Sequence, residues 1–363
     1  MPGWKLFGCA AVTAAVIGLA PQSIEACTRA VYLGSDGLVI TGRNMDWMED
    51  ISSNLWVFPR GMQRDGAAGP NSAKWVSKYG SVTVAGYDKA TTDGMNEKGF
   101  VANLLYLSDA DYGKPDGRPL MSVSTWAQYM LDNYATVAEA VTDWSKDPFA
   151  MLAPALPNGS PAELHLSLSD ASGDSAVFEY IKGKLDVHHG KQFQVMTNEP
   201  PMDQQAALNA YWEAIGGNTF LPGTIKPEDR FVRTSFFIKS LPKESNKSLV
   251  TALPDGSYVN QAMAGVMSVM RAVSTPFGLT TPGEPNNAST LWRTVADQKH
   301  LIYLFDSATS PNAFWVPLSD LNFAQGAPVT KLTLAGGKVF SGNAASKFEP
   351  AEPFKFLQAS PSS

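Results

Sequence analysis

Two β-branched runs, TRAVYL (28–33) and LVITGR (38–43), stand either side of Gly34-Ser35-Asp36-Gly37. Such runs around a Gly/Asp turn predict a tight antiparallel hairpin. The hairpin also returns the end of its second strand, at Arg43 and Asp46, to the side of Cys27, which precedes the first. Further strand-like runs follow: SNLWVFP (53–59), SVTVAGY (81–87) and GFVANLLYL (99–107), with turn residues at 91–99. Apolar residues at three- and four-residue spacing predict helix from about Leu120 to Ser145, broken near Asn133. A second strand set covers 162–170, 175–181, 184–190 and 192–198, and helices are predicted around 203–215, 227–241 and 257–273. TLWRTVADQ, HLIYLFD and AFWVPL close the core. Strand and helix sets without βαβ alternation predict an α+β domain of largely antiparallel sheets. No repeat or linker divides it. It is expected to span 27–340, with a loose Ser-, Ala- and Pro-rich tail at 341–363.

Ahead of this domain lies a leader. MPGWK carries the single charge of Lys5, Leu6–Ala20 is apolar and uncharged, and PQSIEA ends in the small residue Ala26. That is the layout of a secretory signal peptide over 1–26. Its apolar run, roughly 15 residues, falls short of the roughly 20 that span a bilayer. The chain is therefore expected to be exported, to the periplasm, and to have no membrane part once the leader is removed. Removal takes Cys9 and leaves one thiol, so no internal disulfide is expected. A net charge of −6 without a Lys/Arg run argues against nucleic acid and anionic membrane as partners.

A solitary thiol at the cut point calls for a reason. As residue one, Cys27 would carry its sulfur and a free α-amine on the same Cα. An α-amine has an ordinary pKa of about 7.7–8.0, so near neutrality it can accept the thiol proton and serve as the base of nucleophilic catalysis. Two other readings stand beside this one. Cys27 is also where a lipid anchor would attach in an envelope binding protein, although Glu25-Ala26 suits such a signal poorly; and the thiol could be inert. Arg43 is expected to favour the thiolate, and Asp46 to orient the amine. Without the Cys, the same two residues would read as an exposed ion pair worth about 0–1 kcal/mol. The four histidines, His165, His188, His189 and His300, lack zinc spacing and read as structural or surface residues. No metal and no cofactor are expected.

CTRAVYLGSDGLVITGRNMDW resembles the opening of the choloylglycine hydrolase and penicillin V acylase family, which belongs to the N-terminal nucleophile hydrolases. DGMNEKGFVANLLYL resembles the family's Asn-Glu-x-Gly segment, QVMTNEP its Thr-Asn-x-Pro motif, and DRFVRTSF its Arg-Phe-Val-Arg helix. The resemblance implies a four-layer αββα sandwich, usually a homotetramer, that hydrolyses non-peptide amides through a thioester. It matches Cys27 to the nucleophile, Arg43 and Asp46 to its neighbours, Asn198 to the oxyanion-hole side chain and Arg230 to the charge network, with Arg233 as support. By residue type alone, Asn198 would be a turn residue and Arg230 a helix-surface residue. The link from Asn198 to Arg230 is shorter than in many members, whose insertion there knits the tetramer. In this respect, and in its leader, the chain resembles the exported Gram-negative branch. Tyr106 falls where penicillin V acylases tend to have Tyr and bile salt hydrolases Asn. With Trp47 it would line an aromatic pocket for a phenoxyacetyl or fatty acyl group, though either ring could equally be core. The expected substrates are penicillin V or an N-acyl homoserine lactone, with bile salts as the alternative.

Overall fold

The hairpin closes as its composition dictates. In the computed structural model, which describes residues 27–216, 220–253, 255–280 and 288–360, Thr28–Leu33 pairs antiparallel with Val39–Trp47. Thr28 lies opposite Asn44 and Arg29 opposite Arg43. In the turn, Asp36 and Gly37 take φ of 55° and 68°. Gly, and less readily Asp, tolerates that left-handed region. The Gly34 amide then donates to the Leu38 carbonyl at 2.8 Å. The leader, residues 1–26 with Cys9, lies outside the described residues.

The hairpin belongs to a seven-stranded sheet ordered Val195–Thr197, Thr28–Leu33, Val39–Trp47, Ser289–Asp297, Ile302–Ser307, Ala313–Pro317 and Gly342–Asn343. Only the last pair is parallel. A nine-stranded antiparallel sheet faces it, running Lys184–His189, Ser175–Ile181, Leu164–Ser169, Val101–Tyr106, Ala90–Asn96, Ser81–Gly86, Asn54–Phe58, Thr330–Leu332 and Glu349–Pro350.

Six α-helices are seen among the described residues: α1 (Trp126–Asn133), α2 (Val137–Trp144), α3 (Met202–Ile215), α4 (Pro227–Ser240), α5 (Lys247–Val250) and α6 (Tyr258–Ala272). The first two cover the nine-stranded sheet, where Trp126 and Trp144 stack at 5.6 Å over Phe178 and Tyr180. α4 and α6 cover the seven-stranded sheet. α2 starts where Thr136 and Glu139 form a capping box, and α6 where the Ser257 hydroxyl accepts from the Asn260 amide. Along α6 the buried Met263, Val266, Met267 and Met270 recur at three- and four-residue steps. The result is the expected αββα sandwich.

Alternation along Val39–Trp47 assigns its residues to two layers. Thr41 and Arg43 face the other sheet, bonding the Ser169 hydroxyl at 2.8 Å and the Leu104 carbonyl at 2.9 Å. Gly42 and Asn44 face α6, where Asn44 donates to the Met270 carbonyl at 2.8 Å.

Two local expectations need correction. Leu120–Ser122 is a short strand, and the helix starts only at Trp126. The segment expected as a loose tail is docked as far as it is described. Phe354 packs 5.0 Å from Trp56, Ser122 and Ser124 donate to the Leu357 carbonyl at 2.9 and 2.8 Å, and the Ala359 amide donates to the Ala67 carbonyl at 2.8 Å. Spaced apolar anchors hold it without any regular period.

A Cβ on Gly42 would lie 2.7 Å from Met270 Cγ and 2.9 Å from Val266 Cγ1. Gly42→Ala is expected to lower stability by about 1–3 kcal/mol through overpacking, seen as a lower urea midpoint with an unchanged slope. An unchanged midpoint would show that α6 does not rest on this backbone.

Candidate active site

Cys27 sits at the start of a central strand and is 2% exposed. Its sulfur accepts from the Asp46 backbone amide at 3.5 Å and lies 3.8 Å from Arg43 Nη2 and 3.9 Å from Met45 Sδ. These contacts follow from the register, since Cys27 falls opposite Met45 on the face that carries Arg43. Burial pushes the thiol pKa up, and the Asp46 carboxylate adds to this; Arg43, the Asp46 amide and Arg230 pull it down without winning. Arg43 pulls toward the thiolate as expected, but burial outweighs this one cation, so a base is needed to take the thiol proton.

Asp46 is fully buried, and neither carboxylate oxygen has a well-formed hydrogen-bond partner among the described residues. Burial raises its pKa to about 6, against the pull of Arg230, the nearby Thr290 hydroxyl, Arg43 and Arg293. Arg43 is anchored by the Leu104 carbonyl at 2.9 Å, and its guanidinium lies 4.6 Å over the Trp292 ring. Such a desolvated cation–π contact is worth about 2 kcal/mol.

Arg230 turns inward from α4 and is completely buried. Its Nε donates to the Ile225 carbonyl at 2.8 Å, Nη1 to the Cys27 carbonyl at 2.6 Å and to the Thr28 hydroxyl, and Nη2 to Asn198 Oδ1 at 3.2 Å. Asn198 uses its Nδ2 to reach the Tyr106 carbonyl at 3.0 Å. The structure therefore brings together Cys27, Arg43, Asp46, Asn198 and Arg230. Arg233 instead donates to the Pro222 and Thr224 carbonyls, both at 2.8 Å, and steadies the loop leading into α4.

Trp47 and Tyr106 meet edge to face, 6.0 Å between centroids. Trp47 donates to the Tyr87 hydroxyl at 2.9 Å, and Tyr106 to Glu163 at 2.8 Å. Trp47 also walls a cleft of about 610 Å³ together with Trp292, Leu291, Phe305, Phe314 and Phe340. Residues two apart on a strand share a face roughly 7 Å along, so this apolar wall begins close to Met45 and the sulfur. No group of three or more metal-ligating side chains is found among the described residues. Sequence reasoning missed Met45 as a sulfur neighbour and Trp292 as the platform for Arg43. It read His165 only as a structural or surface residue and passed over Glu179, buried 2.8 Å from it. Only pairing across strands reveals these residues.

Two antiparallel sheets between helical layers, with a buried cysteine opening a central strand, have the architecture of the N-terminal nucleophile hydrolases. Residues 27–331 match the linear amide C-N hydrolases of the choloylglycine hydrolase family, and the chain belongs to that family. It is an amidohydrolase acting on linear amides. It is 47% identical over 347 residues to a penicillin V acylase of Pectobacterium atrosepticum, covering 91% of this chain and 92% of that one. It is 29% identical over 250 residues to a bile salt hydrolase/transferase of Clostridium perfringens, covering 61% and 75%. Among solved structures, a penicillin V acylase from Agrobacterium tumefaciens superposes with TM-score 0.82 at 50% identity, over 92% of this chain and all of that one. A conjugated bile acid hydrolase from Clostridium perfringens shares the fold, with TM-score 0.69 at 22% identity over 87% and 98%.

Arg230→Lys keeps the charge but not the fork. One ammonium cannot span the Ile225 and Cys27 carbonyls and Asn198 Oδ1 together. The variant is expected to lose about 3 kcal/mol of stability and roughly 10²–10³ in kcat. A kcat within about threefold of the parent would remove Arg230 from the site.

Proposed function

We propose that the chain is an exported, penicillin V acylase-like amidase whose nucleophile is Cys27 as first residue of the mature protein. The supporting observation is the pairing of a buried thiol that needs a base with a buried Asp46 carboxylate whose oxygens have no well-formed partner. An α-amine on Cys27 meets both needs: it takes the thiol proton, and it gives Asp46 a donor besides the nearby Thr290 hydroxyl.

The sulfur attacks the acyl carbonyl carbon while its proton passes to the amine. The developing oxyanion is met by Asn198 and by Arg230 behind it, worth about 3–4 kcal/mol for a good donor. The C–N bond breaks as the amine passes the proton to the leaving nitrogen, leaving a thioester on Cys27. Water, deprotonated by the same amine, then releases the acid and restores the thiol.

The acyl side is assigned to the cleft walled by Trp47 and Trp292, with Tyr106 packed against Trp47. Penicillin V is the favoured test substrate, and an N-acyl homoserine lactone with the same acyl-amide core is the proposed natural one. The 29% identical bile salt hydrolase keeps glycine- and taurine-conjugated bile salts as the second reading. Periplasmic location belongs to the same proposal, on the strength of the leader. So does a homotetramer, supported by the exposed Leu208, Tyr211, Ile215 and Phe220 on and just beyond α3.

Assaying the three substrates side by side ranks them. Cys27→Ser is expected to abolish turnover with little change in Tm, and the secreted chain is expected to begin at Cys27 by intact mass. A diacylglyceryl adduct, or turnover by the Ser variant, would overturn the proposal. Asp46 also sets a pH dependence. A carboxylate beside the amine favours the ammonium and raises its pKa, and only the neutral amine is a base. Asp46→Asn should therefore move the acid limb of the kcat/KM profile to lower pH while reducing its plateau. A limb that stays in place or moves upward would separate Asp46 from the base.

A further inference from the structure

The turn that carries Asn198 runs Thr197-Asn198-Glu199-Pro200-Pro201 into α3. Gln205 holds its α3 side, donating to the Pro200 carbonyl at 2.6 Å and the Thr197 carbonyl at 3.3 Å. The start of α3 itself is held from the nine-stranded sheet. Glu179, 1% exposed on Ser175–Ile181, accepts through Oε2 from the Met202 backbone amide at 2.9 Å. Met202 is the first residue of α3, so this bond also satisfies one of the free amides at a helix start.

Glu179 is itself fixed. Its Oε1 lies 2.8 Å from His165 Nδ1, and His188 Nε2 stands 3.6 Å from Oε2. Burial pushes the carboxyl pKa up, but His165, His188 and the Met202 amide outweigh it and hold it down at about 2. Glu179 is therefore ionised, and His165 donates from Nδ1. His165 pairs with Leu105, and the next residue of that strand, Tyr106, supplies the carbonyl that Asn198 Nδ2 reaches. Two bonds, Asn198 to Tyr106 and Met202 to Glu179, thus bracket one turn against one sheet, with a stiff Pro-Pro pair between them.

We propose that Glu179 is a positioning residue for amide hydrolysis: by holding the Met202 amide it sets how closely the Asn198 turn approaches the nine-stranded sheet, and hence where the Asn198 amide meets the developing oxyanion. The inference rests on the oxyanion role assigned to Asn198 above. Glu179 touches no reacting atom; it acts through the backbone from Met202 back to Asn198.

A double-mutant cycle on the mature enzyme with penicillin V tests it. Glu179→Ala is expected to lower kcat on the order of 10–100-fold, the scale of a misplacement near 1 Å, with KM within about twofold, and Glu179→Gln to restore most of the loss by again accepting from Met202. In an Asn198→Ala background the Glu179→Ala change should shrink below about twofold. The same factor in both backgrounds, or a rise in KM with kcat unchanged, would overturn the proposal. Should Glu179→Ala not fold, Glu179→Asp replaces it in the cycle. It keeps the charge and falls short of Met202 by one methylene. Parent-like kcat in Asn198→Ala alone would instead remove the oxyanion reading on which the inference stands.

Discussion

The site hangs on one buried cation. Arg230 reaches from α4 through the outer face of the seven-stranded sheet and donates to the Cys27 carbonyl, the Thr28 hydroxyl and Asn198 Oδ1. A guanidinium has five donors in a rigid plane, and here they tie a helix, the first strand and the Asn198 turn into one unit. Burial alone lowers the pKa of such a group, and the neighbouring Asp46 and Cys27 work against that. Leaving those partners bare would cost several kcal/mol, because each is out of reach of water. Arg230 thus fixes the position of the Cys27 backbone, while Arg43, 3.8 Å from the sulfur, is the stronger of the two cations acting on it.

Between the sheets the same economy repeats. Asp93 accepts from Asn103 at 2.6 Å, from Thr294 at 3.2 Å and from the Tyr303 hydroxyl, so one carboxylate spans both layers. Arg29, opposite Arg43, is buried with no carboxylate paired to it among the described residues and donates to the Phe193 and Leu168 carbonyls at 3.0 and 2.8 Å; burial lowers its pKa to about 9. These polar ties set the separation and register of the two sheets, which apolar packing alone leaves adjustable. The sulfur, its cation and the Asn198 turn sit at one end of this frame. Small changes in sheet spacing there would shift the Asn198 turn relative to the sulfur.

Much of this was legible in local pattern. The β-branched runs around Gly34–Gly37 called for the hairpin, and the hairpin called for Arg43 and Asp46 beside Cys27. Helices were expected around 203–215, 227–241 and 257–273, and α3, α4 and α6 lie there. The docked segment up to residue 360 was not legible, because Phe354 and Leu357 are anchors without a period. Glu179 and His165 looked like ordinary strand residues, since alternation tells which face a residue takes but not what it meets there. The burial that opposes Arg43 at the thiol was not legible for a similar reason: a sequence exhibits Arg43 but not the loss of solvent around the sulfur.

By itself the sequence determined the hairpin, the α+β class and the residue types around Cys27, because these depend on neighbours a few positions apart. Only the tertiary structure decided that Arg230, two hundred positions from Cys27, would close over it. It likewise decided that Asp46 would be buried without a well-formed partner among the described residues, and that Glu179 would reach the start of α3. Those outcomes depend on desolvation and on contacts between layers, and both exist only once the two sheets have packed.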